Sequence, residues 1–313
     1  MHSLAVVLES PGRLVLADLP LTDPGAEDVV VDVEVSGVST GTEKLLWSGR
    51  MPPFPGLGYP LVPGYETVGR VVEAGPGSGR RVGERVFVPG ANCYGDVRGL
   101  FGGAAARVVV PGGRTMPVDD IPGPDAILLA LAATAWHAVA PEHRRPPELI
   151  VGHGALGRLV ARIVVATGGK PPTVWETNPA RRDGADGYRV VAPEDDERRD
   201  YHRICDVSGD ADVFDALVGR IARGGEIVLA GFYDRRISFA FPPAFMREAQ
   251  FRVAAEWRPA DLAAVADYAA DGRLTLDGLI THVDSPANVE RAYDRAFTDP
   301  SCLKMVLNWR API

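Results

Sequence analysis

The run at residues 148–158 (ELIVGHGALGR) restricts this chain more than any other stretch. Three apolar residues, Leu149, Ile150 and Val151, feed a turn with glycine at 152, 154 and 157, and an amphipathic run follows at once. In a dinucleotide fold the first glycine makes a tight turn. The second lets backbone approach a pyrophosphate, and the third lets helix and strand pack closely. The helix N-terminus then offers N–H groups and partial positive charge to an anion. Gly152, Gly154, Ala155, Leu156 and Gly157 are therefore the expected phosphate turn. With 35 glycines in the chain the spacing alone is weak, and an empty α/β turn is the alternative. The context strengthens the reading. A second β-prone run, residues 173–176, ends on Glu176, about twenty residues beyond Gly157, where a ribose-binding carboxylate is expected.

A chain of 313 residues predicts two domains, and 46% hydrophobic content suffices for a sizeable core. A net charge of −8, with no basic tract, argues against a nucleic-acid partner. The first nine residues (MHSLAVVLE) lack the basic flank and long apolar segment of a signal peptide and read as a first strand. No stretch approaches 18 uninterrupted apolar residues, so no membrane span is expected. Cys93, Cys205 and Cys302 are dispersed and odd in number, which fits a reducing cytoplasm and not a disulfide framework.

The first third reads as β-rich, with short runs at 4–8, 15–18, 29–35, 69–73 and 85–88 separated by Gly and Pro. A loop at 49–64 is crowded with turn formers. Near Pro122 the pattern changes to a helical run at 125–139, then to strands at 149–151, 173–176, 188–191, 203–207, 226–230 and 251–255. Val213, Phe214, Leu217, Val218 and Ile221 have helical spacing. Such alternation predicts an α/β unit with a parallel, doubly wound sheet. Helices are expected at 261–270 and 289–297, and a closing strand at 303–309. The expected organisation is residues 1–122 as a β-rich domain, 123–258 as a dinucleotide domain, and 259–313 returning to the first.

Glu176 discriminates between nicotinamide coenzymes. A carboxylate there accepts hydrogen bonds from the adenosine ribose hydroxyls and repels a 2′-phosphate, which favours NAD over NADP. Arg181 and Arg182 complicate this, since an arginine there can stack on adenine or grip a 2′-phosphate. Ser208, Gly209, Gly231 and Phe232 follow predicted strands, and ligands in such sheets sit beyond the carboxyl ends of the strands. These residues are expected to line the cofactor groove, with ordinary turn glycines as the alternative.

Residues 62–75 (VPGYETVGRVVEAG) and 83–87 (GERVF) resemble the N-terminal signature of the medium-chain dehydrogenase/reductase superfamily. Residues 36–47 (SGVSTGTEKLLW), 51–60 (MPPFPGLGYP), 174–179 (VWETNP), 239–248 (FAFPPAFMRE) and 255–259 (AEWRP) narrow the likeness. Together they resemble the bacteriochlorophyllide a dehydrogenase family of photosynthetic bacteria. The resemblance implies a GroES-like catalytic domain beside a Rossmann domain. It also implies oxidation of the 3-(1-hydroxyethyl) group of a Mg-containing tetrapyrrole to 3-acetyl, with NAD accepting the hydride. A homodimer is common in the superfamily and is left as an open expectation.

Zinc-dependent relatives carry Cys and His where this chain has Thr40 and Tyr65, and the four-cysteine lobe is missing. Neutral hydroxyls are poor zinc ligands, so no protein-bound metal is expected. Oxidising a secondary alcohol without zinc requires a positioned base or relay. The candidates are Tyr65, Glu66, Thr40, Lys44 and His137. Tyr65 serves as a phenolate if a cation such as Lys44 lowers its pKa, or else packs in a wall. Glu66 either orients a relay or holds a buried network. Lys44 is either an acid–base group or solvated, and His137 either a proton acceptor or a core histidine. His153, inside the glycine motif, is not expected to be catalytic.

A chlorin is flat, large and apolar. Trp47, Phe54, Tyr59, Phe101 and Phe245 are the expected pocket walls, with Arg50 or Arg247 for a propionate. The alternative is that these aromatics form core or a dimer surface. Two competing functions remain: a zinc-free quinone or enone reductase of the superfamily, which would prefer NADPH, and a non-catalytic nucleotide- or pigment-binding relative.

Overall fold

The computed structural model describes residues 1–139 and 145–311. They form two compact units. One comprises Met1–Ala130 and Leu279–Ile313, the other Leu131–Gly278.

The first unit is built on the long strand Asp28–Val38. It pairs antiparallel with Thr67–Ala74, Arg107–Pro111 and the closing strand Met305–Asn308. These belong to a seven-stranded sheet that also holds Arg85–Val88, Met116–Pro117 and His282–Asp284. A four-stranded sheet, in the order Arg13–Pro20, His2–Ser10, Leu61–Val62, Arg98–Gly99, completes the unit. Runs of β-branched side chains, buried on both faces, explain the strands: Val29, Val30, Val31, Val86, Val88, Val108 and Val110 are buried. The helix Val289–Thr298 buries Val289, Ala292, Tyr293, Ala296 and Phe297, the stripe expected of an amphipathic helix on a core. Arg85 braces the unit, donating from Nε to Glu34 at 3.1 Å and from Nη1 to the Ile121 carbonyl at 2.7 Å.

The second unit is a six-stranded, wholly parallel sheet. Its order is Arg189–Val191, Thr173–Trp175, Leu149–Val151, Tyr201–Asp206, Ile221–Leu229, Gln250–Val253. The strand first in sequence lies in the middle, so the order reverses beside Leu149–Val151. That crevice is where a doubly wound sheet binds its ligand. The α/β class read from the sequence is the class of the molecule.

The return to the first unit comes at Leu279, twenty residues beyond the boundary at 259 expected above. The helix Pro259–Ala270 belongs to the second unit. His137 meets Asp261 at 2.9 Å, Trp136 packs edge-on against Tyr268 at 5.0 Å, and Arg162 donates to the Thr275 and Asp277 carbonyls. Those contacts hold 259–278 to the parallel sheet's unit. Among the described residues, no helix is long and apolar enough to cross a membrane.

Candidate active site

Strand register in the first unit assembles a buried polar network. Met305 pairs with Val38, which brings Lys304 beside Glu66. The Lys304 ammonium donates to both Glu66 oxygens, at 2.9 and 2.7 Å, with the two side chains 2% and 1% exposed. Gly37 must be glycine here, because a Cβ would lie 2.3 Å from Glu66 Oε2. Glu43, in the first turn of the helix Thr42–Ser48, is also buried. It accepts from the Ser39 N–H at 3.0 Å and from the Tyr293 hydroxyl at 2.6 Å. Burial is the main reason its carboxyl is pushed up to about 7. The Tyr293 and Ser39 hydrogen bonds oppose the rise, and the Glu66 charge adds to it.

Tyr65 sits at the edge of this network, its hydroxyl 2.8 Å from Ser39 Oγ and its ring edge-on to Phe101 at 5.6 Å. Burial first, and then the Glu66 carboxylate, push the phenol above its ordinary value, while hydrogen bonds with Ser39 and Thr42 pull the other way. Lys44 does not lower it: its ammonium donates to the Phe297 carbonyl at 2.9 Å. The phenolate expected from a neighbouring Lys44 is therefore corrected to a protonated phenol in a hydroxyl pair. Thr40 is exposed at the start of the following turn. His137 lies in the second unit, held by Asp261 in the manner of a core histidine. Sequence reasoning passed over Ser39, Glu43, Tyr293 and Lys304. A lone lysine within the apolar run CLKMVLNW was the one available signal, since a buried ammonium demands a carboxylate.

In the second unit the glycine turn has its expected form. Gly152 takes φ +102°, open to glycine and strained for other residues. A Cβ on Gly157 would stand 1.9 Å from the Gly152 carbonyl oxygen, so the helix Ala155–Ala166 packs against the turn only without a side chain there. Gly154 caps that helix, and Ala155 and Leu156 form its first turn. Glu176 follows the strand Thr173–Trp175 and is held by two backbone donors: His153 N–H on Oε2 at 2.9 Å and Asn178 N–H on Oε1 at 2.8 Å. Arg182 turns its guanidinium onto the Glu176 and Thr177 carbonyls. The Arg181 carbonyl accepts from His153 and Arg158.

The loops carrying Ser208, Gly209, Gly231 and Phe232 lie backbone to backbone. A Cβ on Gly231 would come 2.9 Å from the Gly209 nitrogen, and one on Gly209 3.0 Å from the Phe232 oxygen. Asp206, fully buried, ties them together: Oδ1 accepts from the Ser208 N–H and Oδ2 from the Tyr233 hydroxyl at 2.6 Å. The Asp206–Tyr233 pair was another omission of the sequence reading.

The aromatic residues separate. Phe101 stands beside Tyr65, and Phe54 is exposed. Trp47 packs on Phe297 at 5.6 Å, and Tyr59 donates to the Leu46 carbonyl, so both are tied to the first unit's core. Phe245 is in the second unit, in an apolar patch with Phe239, Phe241, Met246 and Phe251. The patch adjoins Arg223 and Glu248, which precede the strand positions Glu226 and Gln250. It therefore lies toward the amino ends of the strands, away from the glycine turn, and the expectation that Phe245 walls the chlorin pocket is corrected. Arg247 spends its guanidinium on the Ile221 and Gly219 carbonyls, which removes it as a propionate anchor.

Zinc does not fit the first unit's donors. Both Glu66 oxygens face an ammonium, the Tyr65 hydroxyl meets Ser39, and Thr40 offers only a neutral, exposed hydroxyl. Among the described residues, no three His, Cys, Asp or Glu side chains group as a metal site.

A β-rich unit with a buried carboxylate–hydroxyl network and a doubly wound unit with a dinucleotide-type glycine turn, in one chain, define an oxidoreductase of the alcohol dehydrogenase class. Residues 25–120 match the alcohol dehydrogenase GroES-like domain. Over 311 residues the chain is 57% identical to the 2-desacetyl-2-hydroxyethyl bacteriochlorophyllide A dehydrogenase of Rhodobacter capsulatus, with 99% of each chain covered. The protein of that name from Cereibacter sphaeroides is 53% identical over 316 residues, again with 99% of each covered. Among solved structures, L-idonate 5-dehydrogenase from Escherichia coli gives a TM-score of 0.86 at 16% identity over 98% of each chain, a likeness of fold. The chain belongs to the 2-desacetyl-2-hydroxyethyl bacteriochlorophyllide A dehydrogenase family.

Proposed function

We propose that this chain oxidises the 3-(1-hydroxyethyl) group of a bacteriochlorophyllide to 3-acetyl, with NAD as the hydride acceptor, in bacteriochlorophyll a biosynthesis. The observation that carries the substrate is near-full-length identity to two relatives bearing that activity in their names. The observation that carries the coenzyme is Glu176, a carboxylate 8% exposed and held in place by two backbone N–H groups beside the glycine turn. Its charge suits a free ribose diol and opposes a 2′-phosphate.

Gly152, Gly154, Ala155, Leu156 and Gly157 would cradle the pyrophosphate, and the Asp206-tied loops would border the nicotinamide half. NAD supplies the hydride acceptor when bound. The chain's own residues hold the alcohol. The Ser39–Tyr65 hydroxyl pair would hydrogen-bond the carbinol oxygen, and Glu43, bonded to the Ser39 N–H, is the neighbouring carboxyl that titrates near neutrality. Glu66 and Lys304 hold the pair's surroundings fixed. Phe101, beside Tyr65 and itself exposed, is the aromatic best placed to meet the macrocycle.

The finer reading of partners is a homodimer through the outer edge of Gln250–Val253. This strand ends its sheet, and the adjoining Phe241, Phe245 and Met246 are exposed. Buried thiols at Cys93, Cys205 and Cys302 suit a reducing cytoplasm. The deciding assay mixes purified protein with NAD and the 3-hydroxyethyl pigment. A red-shifted pigment spectrum together with NADH formation is expected. Turnover of quinones or enones with NADPH alone, or binding without turnover, overturns the proposal.

A further inference from the structure

We infer that the His153 imidazole is a positioning residue for the coenzyme's adenosine ribose, locking the 177–188 loop to the glycine turn so that Glu176 stays aimed at a ribose diol. This rests on the reading of the glycine turn as an NAD site.

The imidazole is fully buried, and both its nitrogens are used. Nδ1 lies 2.6 Å from the Arg181 carbonyl and Nε2 lies 2.8 Å from the Tyr188 hydroxyl. A carbonyl only accepts, so Nδ1 carries the proton. Burial, the largest influence, pulls the imidazole down to about 4, so the ring is neutral near pH 7 and Nε2 is an acceptor. Tyr188 donates to it. The result is a one-way chain, Tyr188 to His153 to Arg181, with every polar atom of the ring satisfied. The backbone of the same residue donates to Glu176 Oε2. One residue therefore holds the carboxylate with its main chain and the far side of the carboxylate's loop with its side chain.

Arg158 doubles the clasp. Its guanidinium reaches the carbonyls of His153, Arg181, Asp183 and Gly184, at 3.1, 3.0, 2.7 and 3.2 Å. Asn178 caps the short turn Pro179–Arg181 by accepting from the Ala180 N–H. The loop that follows Glu176 thus hangs from two buried side chains of the glycine motif. Neutrality of the ring matters as well, since a cation there would offset the charge by which Glu176 refuses a 2′-phosphate.

The test uses titration calorimetry of the full chain with NAD, NADP and ADP-ribose, alongside thermal unfolding of each unliganded variant. His153→Ala removes both ring bonds. His153→Asn keeps a donor at the Nδ1 position and loses the Nε2 acceptor. Tyr188→Phe removes the other partner and leaves the ring in place. NAD and ADP-ribose affinity should fall about tenfold to a hundredfold in His153→Ala, with His153→Asn intermediate, while NADP falls less. A narrowed NAD-to-NADP ratio marks positioning, because general loosening weakens both coenzymes alike. The inference is overturned if the ratio in His153→Asn and Tyr188→Phe equals that of the wild type. Failure of the wild-type protein to bind ADP-ribose would instead sink the NAD reading on which the inference stands.

Discussion

Glu43→Gln should flatten the pH dependence of stability. Glu43 is 2% exposed, and its carboxyl is pushed up to about 7 from an ordinary 4.5, chiefly by burial. Unfolding returns it to the ordinary value. Between those two pH values the folded chain keeps a proton that the unfolded chain has lost. The associated stability is full below about 4.5 and is lost as pH rises through about 7. The gap corresponds to about 3 kcal/mol in all, of which about 2–3 kcal/mol falls between about pH 5 and about pH 8. Glutamine suits the site: its oxygen still accepts from the Ser39 N–H, and its amide donates to the Tyr293 oxygen. Urea unfolding of both proteins at the two pH values isolates the effect, because every other titrating group is common to both. The wild type should lose about 2–3 kcal/mol more than Glu43→Gln on going from the lower to the higher pH. Parallel losses in the two proteins would refute the placement of a titrating carboxyl in this core.

Lys304→Met leaves the Glu66 carboxylate buried and alone, and should lower stability by about 3–5 kcal/mol in denaturant titration; adding Glu66→Gln should restore most of it. Glu176→Gln removes the charge that meets the ribose diol, so the dissociation constant for NAD should rise about tenfold or more by calorimetry while that for NADP changes less. Val253→Lys places a charge at the outer edge of the parallel sheet, where Val253 is 73% exposed; light scattering should show the wild type as a dimer, as proposed, and the variant as a monomer.

The two halves of the candidate machinery differed in how far the sequence disclosed them. The glycine turn proposed for the coenzyme is local: strand, glycines and helix are contiguous, and Glu176 sits one strand away, so spacing alone marked them as candidates. The parallel sheet followed from the same alternation. The buried carboxylate network is not local. Glu66 and Lys304 are 238 residues apart, and Glu43 and Tyr293 are 250 apart. Only the pairing of Met305–Asn308 with Asp28–Val38, and the packing of the helix Val289–Thr298, bring them together. Strands of two residues, such as Leu61–Val62 and Arg98–Gly99, are too short to show a period of two and were equally hidden. The tail's return was read too early because the pattern of the helix Pro259–Ala270 does not say which unit it packs on; the hydrogen bond between Asp261 and His137 ties it to the second.

Thr40 and Tyr65 are poor donors for zinc. The structure adds what stands there instead. In a metal-dependent alcohol dehydrogenase the cation lowers the cost of an alkoxide. Here the buried positive charge among the carboxylates is the chain's own Lys304, and it is spent on Glu66. Glu43 receives no ion-pair hydrogen bond of that kind, only an N–H and a phenol, and it is Glu43 whose carboxyl rises to about 7. One lysine pairs with one of two acids in this core: Glu66 is tied into the scaffold by it, while burial, against the weaker pull of Lys304, raises Glu43 to about 7.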